Sequence, residues 1–284
     1  MMGSFVALIT PFLNDGQVDY NALKRLVAWH IEEGTHGFVI LGTTAESPTL
    51  SDNERTQIIK TVIAESSIPV WVGVGTHATQ QSIQYAKEAE VLGADGVMAV
   101  CPYYNKPTQE GLYLHFKSIH DAITIPLMLY NVPGRTVVDL SFNTIEKLHM
   151  LPRVVALKDA TGDLHRLQDY RRLTQLSILS GDDGTTGEFL IQGGHGMVSV
   201  TANIMPKHCS RLFQAAALGQ FDQVVSIQQD LEQLNQFLFI ESNPIPVKWL
   251  MAEMGLIGHH VRLPLTSLAE QYHQQAKNLL NTYA

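Results

Sequence analysis

Eight short apolar runs, separated by stretches with apolar residues at helical spacing, constrain this chain more than any other feature. The runs are Phe5 to Ile9, Gly37 to Leu41, Val70 to Val74, Gly96 to Val100, Pro126 to Tyr130, Val154 to Leu157, Ser177 to Ser180 and Met197 to Val200. Runs of this kind, near-continuously apolar, are the mark of parallel strands buried on both faces. Between them, Asn21 to Glu33, Asp52 to Ser66, Thr79 to Leu92 and Glu110 to Ile123 repeat apolar residues every three or four positions. Ser51 with Glu54 has the spacing of a capping box at a helix start. Regular strand–helix alternation with eight strands predicts an α/β fold, a (β/α)8 TIM barrel closed without edges. After Val200 the strand pattern stops, and from about Met205 the chain reads as helix. The barrel is assigned residues 1–224 and an all-helical C-terminal extension residues 225–284.

At 284 residues the chain is long enough for one large barrel. Its 19 basic and 27 acidic residues give a net charge of -8, which excludes the basic footprint expected of a nucleic-acid or anionic-membrane binder. Cys101 and Cys209 are too few for a disulfide framework and lack zinc-site spacing, so a reducing, cytoplasmic setting is expected. The apolar stretch Phe5 to Phe12 has no basic leader or small-residue cleavage site and reads as a first strand; no apolar run has the length of a membrane span.

A barrel of this class places its chemistry on the loops that follow the strands. Those loops contain Gly42-Thr43-Thr44-Ala45-Glu46-Ser47, Cys101-Pro102-Tyr103-Tyr104-Asn105, Asn131-Val132-Pro133-Gly134-Arg135-Thr136 and Gly181-Asp182-Asp183-Gly184, and strand six runs into Lys158. An amine at the end of a buried strand is poised as a nucleophile, because burial favours its neutral form; the alternative is a structural ion pair with Asp159 or another acid at the rim. Tyr130 ends the adjacent strand and can relay protons beside Lys158, or serve as a core tyrosine with its hydroxyl at the rim. Arg135 offers a planar fork for a carboxylate, or is a solvated loop charge. Thr43 and Thr44, beside Gly42, can present free backbone N–H groups to an anion, or make an ordinary turn.

Three motifs imitate other chemistry. Gly73-Val74-Gly75-Thr76-His77-Ala78 follows a strand and opens a helix like a dinucleotide fingerprint, yet the acid expected after the next strand is replaced by Cys101-Pro102. Gly193-Gly194-His195-Gly196 precedes strand eight and belongs to a turn on the far face of the barrel. Asp182-Asp183-Gly184 lacks the alternating acids of a calcium loop, and the 12 histidines form no HExxH pair. No metal and no dissociable cofactor are expected.

Taken together, Gly42-Thr43-Thr44-x-Glu46-Ser47, Pro102-Tyr103-Tyr104-Asn105, Tyr130-Asn131-Val132-Pro133-x-Arg135-Thr136, Lys158-x-Ala160-Thr161-Gly162, Ser180-Gly181-Asp182-Asp183 and Asn243-Pro244-x-Pro246-x-Lys248 resemble the dihydrodipicolinate synthases. These belong to the wider superfamily of pyruvate-dependent aldolases that includes N-acetylneuraminate lyase. The resemblance implies a Schiff base between Lys158 and pyruvate, whose carboxylate lies against Thr43 and Thr44. It implies a proton relay of Tyr130, Thr44 and Tyr104, the last reaching in from a neighbouring subunit, and Arg135 as the holder of the carboxylate of L-aspartate 4-semialdehyde. Gly181 and Val198 match positions whose backbone lines the pyruvate pocket. The implied product is 4-hydroxy-tetrahydrodipicolinate, a step towards lysine and diaminopimelate, made by a homotetramer built from dimers. A pyruvate-dependent aldolase of sugar acids is the alternative, disfavoured by Arg135, and a non-catalytic barrel that binds a small acid is a third reading.

The chain departs from the family pattern in two places. Ala45 stands where glycine is common, a change tolerated if its φ is negative. The positions matching the lysine-inhibition cleft are Ser47, Pro48, Asp52, Arg55, His77, Gln81 and Tyr103. Inhibited relatives commonly carry asparagine and glutamate at the places of His77 and Gln81, so feeble or absent inhibition by lysine is expected.

Overall fold

The computed structural model describes residues 1–283. Eight parallel strands, Gly3–Ala7 (β1), Gly37–Ile40 (β2), Val70–Gly73 (β3), Gly96–Val100 (β4), Leu127–Asn131 (β5), Val154–Asp159 (β6), Ser177–Ser180 (β7) and Gly196–Ser199 (β8), pair in sequence order and close β8 onto β1. The helices are Tyr20–Glu32 (α1), Asp52–Glu65 (α2), Thr79–Val91 (α3), Gln109–Ala122 (α4), the single turn Pro133–Thr136 (α5), Phe142–His149 (α6), His165–Leu173 (α7), Thr186–Ile191 (α8) and Pro206–Ala217 (α9), followed by Phe221–Phe237 (α10), Ile245–Glu253 (α11) and His273–Tyr283 (α12). The expected barrel and helical extension are therefore present.

The capping box at Ser51 is formed in full: the Ser51 hydroxyl accepts from the Glu54 N–H and the Glu54 carboxylate accepts from the Ser51 N–H. The division expected between residues 224 and 225 falls inside α10. α9 lies against β1 and β8, whereas α10 packs on α8 and α9. The sequence has no apolar break there, because α9 and α10 pack on each other as well.

Alternation along the strands divides the core in two. Phe5, Val39, Trp71, Met98, Met128, Tyr130, Ala156, Leu179 and Val198 point inward and fill the barrel. Their neighbours, such as Phe38, Val72, Leu129, Leu157 and Ile178, point outward against the helices. Tyr130 pairs with Lys158 across β5 and β6. Lys158 thus occupies an inward position two residues after Ala156.

Candidate active site

Lys158 lies within β6 rather than just after it, because the strand continues to Asp159. Its side chain is buried, and its Nζ sits 4.3 Å from the centroid of the Tyr130 ring. The Asp159 alternative fails on geometry. Strand alternation turns Asp159 outward, where its carboxylate accepts from the Tyr170 hydroxyl at 2.6 Å and faces Arg166 Nε at 3.3 Å. Burial raises the Asp159 carboxyl above its ordinary range, and the Tyr170 bond opposes that rise. Among the described residues no carboxylate makes a salt bridge with Lys158.

A cavity of about 230 Å³ opens above Lys158, bounded by Tyr130, Thr43, Thr44, Arg135, Gly181 and Ala160. It adjoins a second cavity of about 340 Å³, with which it shares Gly42, Thr43, Tyr130, Arg135 and Asn243. The amine, hydroxyls and guanidinium singled out from the sequence converge on this one space. Gly181 is there for room: a Cβ on it would lie 2.7 Å from Cε of Lys158 and 2.9 Å from Cβ of Ala160. Val198 is buried inside the barrel but does not form the cavity wall; Val200 does.

The Thr43–Thr44 loop is folded by two turns, the Ala45 N–H donating to the Gly42 carbonyl at 3.2 Å and the Glu46 N–H to the Thr43 carbonyl at 3.1 Å. Among the described residues no acceptor takes the N–H of Thr43 or Thr44, which leaves two consecutive donors at the cavity wall, an arrangement suited to a carboxylate. Ala45 has negative φ, so the absent glycine costs nothing there, whereas Glu46 is left-handed at φ 55. The Thr44 hydroxyl accepts from the Asn243 side-chain amide at 2.9 Å, so its own proton is free to be donated into the site. Asn243 was part of a recognised motif without an assigned role. Nothing local in the sequence could have given one, since its partner lies 199 residues away.

Arg135 rides on α5, fixed by Pro133 at the first turn and by the left-handed Val137 behind it. One guanidinium nitrogen donates to the Asn243 carbonyl at 3.2 Å, and the exposed remainder faces both cavities. Tyr104 does not reach this site within its own chain. It is 92% exposed on the β4–α4 loop, with φ 73.

Some of the residues expected at a lysine cleft are joined to one another through Tyr85. The Gln81 amide donates to the Tyr85 hydroxyl at 2.9 Å, and that hydroxyl donates to Asp52 at 2.8 Å. The Arg55 guanidinium lies 4.0 Å over the Tyr85 ring; burial pulls its pKa down, with Tyr85 and nearby acids opposing. His77 packs edge-on to Tyr103, and Ser47, Pro48 and Tyr103 border the larger cavity. Tyr85, which ties Asp52, Arg55 and Gln81 together, was not singled out from the sequence. The glycines of the dinucleotide-like motif serve close packing, because a Cβ on Gly73 would lie 2.2 Å from the Leu41 carbonyl oxygen and one on Gly75 2.3 Å from the Val100 nitrogen.

The sequence profile of the dihydrodipicolinate synthetase family matches residues 1–283. The chain belongs to that family. The 4-hydroxy-tetrahydrodipicolinate synthase of Stutzerimonas stutzeri is 45% identical over 282 residues, 98% of this chain and 97% of the relative. That of Psychrobacter arcticus is 48% identical over 277 residues, 96% and 92%. The chloride-inhibited dihydrodipicolinate synthase of Acinetobacter baumannii, complexed with pyruvate, has the same fold at a TM-score of 0.97 and 48% identity, covering 99% of this chain and 98% of that one. Dihydrodipicolinate synthases are lyases of lysine and diaminopimelate biosynthesis, and this chain has their barrel, with no helix among its described residues long and apolar enough to cross a membrane.

Proposed function

We propose that this chain condenses pyruvate with L-aspartate 4-semialdehyde to give 4-hydroxy-tetrahydrodipicolinate, with Lys158 as the Schiff-base amine. The observation that carries the reading is the placement of Lys158 beside Tyr130, inside a cavity whose wall offers the unused N–H groups of Thr43 and Thr44. The pyruvate carboxylate lies on those two donors. The neutral Lys158 amine adds to the ketone carbon, and loss of water gives the iminium. Tyr130 and Thr44 move the protons of these steps, the Thr44 hydroxyl being oriented by Asn243. Loss of a methyl proton gives an enamine, whose carbon forms a bond to the aldehyde carbon of the second substrate while the aldehyde oxygen takes a proton. Arg135 grips that substrate's carboxylate. Its amino group then attacks the imine carbon and displaces Lys158, closing the ring and restoring the free amine.

Exposed Tyr104 completes the relay in a neighbouring subunit, which requires at least a dimer and fits a tetramer built from dimers in the cytoplasm. Val198 supports the pyruvate pocket from below Val200. Lysine inhibits feebly or not at all, because the cleft offers His77 and Gln81 where inhibited relatives commonly carry asparagine and glutamate, which weakens acidic capture of a lysine amine. Parallel assays with pyruvate and either the semialdehyde or N-acetylmannosamine test the reading. Turnover of the semialdehyde alone supports it, and turnover of the amino sugar alone overturns it in favour of a sugar-acid aldolase.

A further inference from the structure

Glu46 is a carboxylate sealed inside the protein, two residues beyond Thr44, and it is held from the C-terminal extension. Lys248 Nζ, on α11, meets its Oε1 at 2.6 Å, with both side chains at 1% exposure or less. The backbone N–H of Arg262 donates to the other oxygen, Oε2, at 2.9 Å. Lys248 also rests 4.0 Å over the ring of Phe12, which Arg262 covers at 4.4 Å. A buried ion pair is a weak device for stability, because desolvation offsets its attraction; a role in fixing geometry is the alternative that such pairs invite. Glu46 has geometry to fix. It is a non-glycine residue in the left-handed region, a conformation that persists only where the surroundings over-determine it. Its N–H closes the turn onto the Thr43 carbonyl, and its own carbonyl accepts from the Thr49 N–H and hydroxyl. The same turn leaves the Thr43 and Thr44 N–H groups unused.

We propose that Lys248 is a positioning residue for the carboxylate cradle: it anchors Glu46, and through Glu46 the left-handed turn that aims the Thr43 and Thr44 N–H groups into the cavity. Lys248 itself borders neither cavity, so it acts only through its partner. The inference rests on the Schiff-base reading above. Because pyruvate and the semialdehyde enter in separate half-reactions, and the enamine is already tied covalently to Lys158 when the semialdehyde arrives, a defect in the cradle falls mainly on the first.

The test compares wild type with Lys248→Met and with the double variant Glu46→Gln/Lys248→Met, which leaves no unpaired buried charge and keeps the question open if the single variant fails to fold. In the folded variants kcat/KM for pyruvate should fall about tenfold or more, while kcat/KM for the semialdehyde stays within about threefold, as expected when a binding contact of one substrate is lost. The pyruvate concentration giving half-maximal borohydride adduct on Lys158 should rise by the same factor. Equal losses for both substrates, or none for pyruvate, would overturn the proposal. A wild-type enzyme that forms no adduct at any pyruvate concentration would instead sink the Schiff-base reading on which it rests.

Discussion

The α-carbon of Gly181 faces the side chain of Lys158 so closely that a single added methyl group would stand 2.7 Å from the lysine Cε. The same methyl group would lie 2.9 Å from the Ala160 Cβ, on a backbone tied by the Gly181 N–H to the Asp159 carbonyl at 2.7 Å. The flexible lysine side chain gives most readily, and its amine is the group whose position the chemistry uses.

Gly181→Ala should therefore fold and yet lose activity. Misplacing a reacting group by about 1 Å costs roughly 10²-fold in rate, and a loss of that order in kcat/KM for pyruvate is expected, with a thermal midpoint within a few degrees of wild type. Steady-state kinetics alongside calorimetry checks this. Full activity would mean that the cavity tolerates a displaced Lys158.

Among the described residues the Arg135 guanidinium donates a hydrogen bond only to the Asn243 carbonyl, and Arg135 borders both cavities. Charge-assisted hydrogen bonds contribute about 1.5–3 kcal/mol, or roughly 10- to 150-fold in binding. Arg135→Met should raise the KM for L-aspartate 4-semialdehyde by that range and leave the yield of pyruvate adduct on Lys158 unchanged. A variant that loses the adduct would place Arg135 on pyruvate instead.

Buried histidines set an acid limit on stability. Burial brings His30 down to about 3 and His115 down to about 4. The unfolded chain takes up protons near the ordinary histidine pKa, and the native state refuses them until those lower values. Between them the unfolded state binds more protons, so stability rises with pH and is lost as pH falls from about 6.5 towards 4, by up to about 1.4 kcal/mol per pH unit per histidine. Asp159 and Asp183, raised by burial, contribute with the opposite sign. The check is therefore the difference between wild type and His115→Gln in urea midpoint at pH 7.5 and pH 5. Wild type should lose more on acidification, and parallel losses would contradict the assignment.

The barrel was legible because its strands are buried on both faces, so Val70 to Val74 or Gly96 to Val100 appear as unbroken apolar runs. The site loops were legible because a barrel of this kind fixes which ends of the strands carry function. What escaped is set by contacts between distant segments. Nothing near Thr44 announces Asn243, and nothing near Glu46 announces Lys248, 202 residues away. Tyr85 sits among helix residues with ordinary amphipathic spacing, so its bond to Asp52 has no local signature.

The central claim is that the Lys158 amine attacks pyruvate. Borohydride reduction of the protein with pyruvate, followed by intact mass and peptide mapping, tests it directly. The account predicts one reduced pyruvate adduct per chain, mapped to Lys158 and absent from Lys158→Ala. Folded wild-type protein that yields no adduct, or an adduct on another lysine, would contradict it.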